Sequence, residues 1–79
     1  MSNKYAARMS IAEVMGHAQH TKRMSSQIIN IMLNADATLQ SGREAVPEYV
    51  LDEAIARANA AIEQLQSAIT SINAIRGAL

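Results

Sequence analysis

Six consecutive residues, Ile28-Ile29-Asn30-Ile31-Met32-Leu33, constrain this chain more than any others. Five of the six are large and apolar, and they lie in a run from Met24 to Ala35 that carries no charged side chain. Successive residues of a helix point about 100° apart, so these side chains cannot share one face. A helix through the run has to be covered on more than one side. One cover can come from the same chain and another from a second molecule.

Length sharpens this demand. Residues 1–79 make one small helical-hairpin domain. Chains of this size bury modest cores and usually draw on disulfides, a metal or oligomerisation. There is no Cys, which removes disulfides and thiolate metal sites and is consistent with a reducing compartment. Tyr5 and Tyr49 are the only aromatic residues, so a core must be built from Ile, Leu, Val, Met and Ala. Three Gly and one Pro in an Ala-rich chain indicate an all-α fold. Seven basic residues balance seven acidic ones, without the basic excess that non-specific nucleic-acid binding needs. No apolar run approaches the roughly 20 residues that span a bilayer. Glu13 interrupts the one stretch that could serve as a secretory leader. The expectation is a cytoplasmic protein with no membrane partner.

In chain order, residues 1–9 read as an arm or an early helical turn. Ser10-Ile11-Ala12-Glu13 has the form of a capping box, with Met9 and Val14 placed as a hydrophobic staple. A start at Ser2 or Asn3, with Ser10 inside the helix, is the other reading. Apolar residues then recur at threes and fours through Leu39, giving a first helix over about 11–40. Gly16 lies within it, as a site of close helix approach or a bend. Gly42 is placed to end the helix in the left-handed conformation. A short loop, 41–46, makes the two helices antiparallel. Pro47 suits the first turn of a second helix over about 47–76, with Glu48, Asp52 and Glu53 at its positive end.

The second helix carries a heptad: Leu51, Ile55, Ala58, Ile62, Leu65, Ile69 and Ile72. Folding the hairpin on it pairs Leu39 with Leu51, Ala35 with Ile55, Met32 with Ala58, Ile28 with Ile62, Ser25 with Leu65, Thr21 with Ile69 and Ala18 with Ile72. Large mostly meets small, as even interhelix spacing requires. Met15, Met24, Ile29, Ile31, Leu33, Ala54, Ala61, Ala68 and Ile75 are left over. They form a second apolar surface, expected to pair with another copy as a homodimeric four-helix bundle. On this reading Ile31→Glu separates the copies far more than Ser67→Glu.

Little points to chemistry. His17 and His20 share a helix side, but a metal site needs more ligands than two. They read as a solvated face, and no metal or cofactor is expected. Ser and His occur without an orienting carboxylate, and there is no Gly-rich phosphate loop, so no catalytic residues are assigned. A helix-turn-helix with its turn at Gly16 fits poorly, because Gln19, Lys22 and Ser25 are polar where the recognition helix should pack. Gln66, Ser67, Thr70 and Asn73 form a charge-poor outer face, a candidate surface for an unidentified protein partner. The expected function is a non-enzymatic adaptor, inhibitor or chaperone-like regulator, of the size found among phage and other accessory proteins. The alternative is a small dimeric nucleic-acid-binding regulator contacting phosphate through Lys22 and Arg23.

Overall fold

The computed structural model describes residues 3–42 and 45–79. The parts of the expected arm and loop that fall on Met1, Ser2, Arg43 and Glu44 lie outside the described residues. The chain forms two antiparallel helices, α1 (Lys4–Gln40) and α2 (Glu48–Ala78), packed side by side.

α1 begins earlier than the capping-box reading places it. Asn3 is the N-cap, and its side-chain oxygen accepts from the Ala6 amide at 3.0 Å. Ser10 is therefore interior to the helix. The Glu13 carboxylate does not turn back to it, but accepts from the Ser71 hydroxyl of α2 at 3.0 Å. At the other end Gly42 takes φ +84°, the left-handed conformation its position demands. Its amide donates to the Leu39 carbonyl, and the Ser41 amide to that of Ala37. Pro47 stands just before α2, at the N-cap, rather than in its first turn. Glu48 in the first turn and Arg76 in the last complement the helix dipole.

The hairpin closes on a different face of α2 from the expected one, while on α1 the expected Thr21, Ile28 and Ala35 do lie in the seam. On α1 the inward positions recur at alternating threes and fours: Ala7, Ser10, Val14, His17, Thr21, Met24, Ile28, Ile31, Ala35 and Thr38. On α2 they are Val50, Ala54, Arg57, Ala61, Gln64, Ala68, Ser71, Ile75 and Ala78. All of these are buried or half-buried. Both series are heptads, as left-handed packing near 20° requires. The α2 series is rich in small residues, which let two helix backbones approach. The more apolar heptad on which the hairpin was expected to close faces outward, with Ile55 and Ile69 each 59% exposed. On α1, Ile28 is half-buried in the seam, while Met32 and Leu39 are exposed.

The register differs as well. The expected pairing sets His17 opposite Asn73; in the structure His17 bonds Gln64. The Asn3 amide donates to the Ala78 carbonyl at 2.7 Å, tying the start of α1 to the end of α2. The helices have slid by about two turns.

The result is a thin rod of 65 × 15 × 11 Å with a Cα radius of gyration of 18.2 Å. A compact chain of this length would have a radius of about 12 Å. Its accessible surface is 6008 Å², against about 4,700 Å² for a compact monomer of 8.5 kDa. The core is a single line of contacts: Ala7, Met24, Ala54 and Ala68 are its buried apolar residues, and no large side chain among the described residues is fully buried.

Candidate interaction surface

The two outward apolar stripes belong to one surface, for a geometric reason. The α2 stripe, Leu51 to Ile72, lies one residue C-terminal to each seam position, and so about 100° round the helix. The same step on α1 gives Ile11, Met15, Ala18, Lys22, Ser25, Ile29, Met32, Asp36 and Leu39. Antiparallel helices turn in opposite senses when viewed down one axis. Equal steps from the seam therefore bring both stripes to the same side of the hairpin. One step in the other direction gives, besides Met9, Gly16, Tyr49 and several Ala, the polar run Glu13, His20, Arg23, Gln27, Asn30 and Asn34 on α1, with Glu53, Glu63, Ser67 and Thr70 on α2. The hairpin is thus a two-helix layer with an apolar side and a polar side.

The side chains expected to self-associate divide between the seam and this surface. Met15, Ile29 and Leu33 are exposed, on or beside the apolar side. Met24, Ala54 and Ala68 are buried within the single chain, and Ile31, Ala61 and Ile75 are half-buried in the same seam. The exposed apolar surface instead includes Leu51, Ile55, Ile62, Leu65, Ile69 and Ile72, the residues expected inside the hairpin. The signal that finds them is the common offset of the two heptads, combined with antiparallel geometry.

The charge-poor positions are all exposed, Gln66 and Asn73 on the outer edge of α2 and Ser67 and Thr70 on its polar side. Thr70 turns its hydroxyl to the Gln66 carbonyl at 3.3 Å. Lys22 and Arg23 are exposed but diverge, Lys22 to the apolar side and Arg23 to the polar side. His17, expected on a solvated face, points into the seam.

Two side-chain hydrogen bonds cross between the helices at the seam. The His17 Nδ1 lies 2.7 Å from Gln64 Oε1, and with a carboxamide oxygen as acceptor that nitrogen carries the proton. Thr21 donates its hydroxyl to the His17 carbonyl. Ser71, 6% exposed, donates to Glu13. Gln27 Oε1 and Arg57 Nε are buried without a partner, while another guanidinium nitrogen of Arg57 meets Glu53 at 3.3 Å. Polar pairs at seam positions fix the register of two helices at some cost in stability. Among the described residues no pocket is formed, no three His, Asp or Glu side chains gather as metal ligands would, and no helix is long and apolar enough to cross a membrane.

The geometry defines a class: an all-α hairpin with one apolar side left uncovered. No protein-family model, curated protein or solved structure matches the chain.

Proposed function

We propose that this protein is a non-enzymatic interaction module. It self-associates through the apolar side of the hairpin and presents the outer edge of α2 to a partner protein. The observation that carries this reading is the unbroken apolar stripe of α2, Leu51 to Ile72, with Ile11, Met15, Ile29, Met32 and Leu39 of α1 exposed on the same side. Monomers seldom expose contiguous apolar surface beyond a few hundred Å², and larger patches mark interaction sites. The total accessible surface, polar and apolar together, exceeds that of a compact chain by about 1,300 Å², room for the roughly 800 Å² each partner gives to a standard interface. The partner-binding part of the proposal rests on Gln66, Ser67, Thr70 and Asn73, which are exposed, uncharged and outside the apolar stripe, on the outer edge and polar side of α2. A face so placed stays open when the apolar side is covered.

Light scattering coupled to size exclusion tests the first part. A mass of twice 8.5 kDa is expected, and a strict monomer at tens of micromolar overturns self-association. Affinity capture from the native host tests the second. A protein retained by the wild type and lost with Thr70→Glu/Asn73→Glu supports the outer edge as the partner surface. Equal retention by both removes it.

A further inference from the structure

Resting on the self-association just proposed, we infer that the second copy lies on the apolar side with its loop at the opposite end. The twofold axis then crosses the hairpin at the level of Ile62. Two symmetric stackings bring apolar sides together with every neighbouring helix antiparallel. In one, both loops lie at the same end and α1 covers the partner's α2. In the other, the loops lie at opposite ends, so that each helix covers its own counterpart. Charge on the stripes separates them.

The apolar side has a basic end and an acidic end. Continuing the α2 stripe by its own spacing adds Glu48 before Leu51 and Arg76 after Ile72. Continuing the α1 stripe adds Lys4 and Arg8 before Ile11, while Asp36 lies near its far end. All five are exposed. Both helices thus place positive charge far from the loop and negative charge near it. With loops at the same end, Arg8 would meet the other copy's Arg76, and Asp36 its Glu48. With loops opposed, basic ends cover acidic ends. Complementary charge of this kind sets orientation more than it sets affinity.

The stripes are also self-complementary about matching centres. On α2, turning about Ile62 sets Ala58 against Leu65, Ile55 against Ile69, Leu51 against Ile72 and Glu48 against Arg76. On α1, turning about the midpoint between Ala18 and Lys22 sets Ile11 against Ile29, Met15 against Ser25 and Lys4 against Asp36. These centres come from each helix separately. The hydrogen bonds of His17 with Gln64 and of Glu13 with Ser71 bring the α1 centre beside residues 61 to 64 of α2. One axis therefore serves both helices.

Spin-label distances between single Ala45→Cys chains decide the arrangement, the native chain having no cysteine. Opposed loops place the labels about 50 Å apart; loops at one end place them within about 20 Å. The long distance is the expected result. A short distance in a dimer of normal mass overturns this arrangement and leaves self-association standing, whereas a monomer by light scattering overturns both. Charge reversal gives a second reading, with helicity checked by circular dichroism. Glu48→Lys should weaken the dimer about three- to tenfold, since symmetry breaks two surface pairs at once. Adding Arg76→Glu should restore it. A dimer tightened by Glu48→Lys alone would mean that like charges had been relieved, and the loops share one end.

Discussion

Single residues in this chain divide into those that act locally and those that act across the seam. Gly16 is local. It is exposed, on the polar side, and a Cβ there would meet nothing within 4 Å. The close approach or bend expected of it has no neighbouring element to serve. Gly16→Ala should therefore raise stability by about 1 kcal/mol, read as a higher thermal midpoint; a lower one would show that the site is covered in solution. His17 and Gln64 act across the seam. Replacing either with Ala strands a half-buried polar partner and should cost about 1–2 kcal/mol. The double replacement should cost less than the two single losses together, which a double-mutant cycle measures. The left-handed Gly42 was legible in the sequence, because one residue decides that geometry. The Ser10–Glu13 box was misread, because the Glu13 partner, Ser71, lies 58 residues away and no local pattern contains it.

At the scale of elements, both helices and their antiparallel order were legible, as was part of the closing face of α1 (Thr21, Ile28 and Ala35), and the closing face of α2 was not. Each helix carries two heptads one residue apart, and on α2 hydrophobicity ranks them in the wrong order for this purpose. The richer one, with Ile55, Ile62 and Ile69, looks like a core by composition. The poorer one, with Ala54, Ala61 and Ala68, has the small side chains that let two backbones come together. A periodic pattern states that a face is to be covered, without stating whether the cover comes from the same chain. The register is set by polar seam pairs, which apolar periodicity ignores. Ala68 is 7% exposed, so added volume there has nowhere to go. Ala68→Leu should destabilise the fold by about 1–3 kcal/mol through overpacking. Ser67→Leu, one residue outward, should change it by less than about 0.5 kcal/mol. Urea unfolding of the two variants checks this, and equal losses would mean that the seam does not run through Ala68.

For the whole molecule, surface area links folding to association. An unfolded chain of 8.5 kDa exposes about 12,000 Å², so closing the hairpin hides only about half of it. A smaller, compact 60-residue domain already hides about 60%. The seam alone is thus a weak source of stability, and the proposed burial of the apolar side against a second copy would supply what it lacks. Stability then depends on concentration by mass action. The wild-type thermal midpoint should rise with protein concentration. Ile62→Glu should abolish that dependence and lower the midpoint, because the twofold axis brings two carboxylates together in an apolar interface. Ile31→Glu, which the sequence reading assigned to the interface, falls in the seam and should instead lower helicity in the single chain. If Ile62→Glu kept the concentration dependence while Ile31→Glu stayed fully helical and lost it, the two heptads would have to exchange their roles.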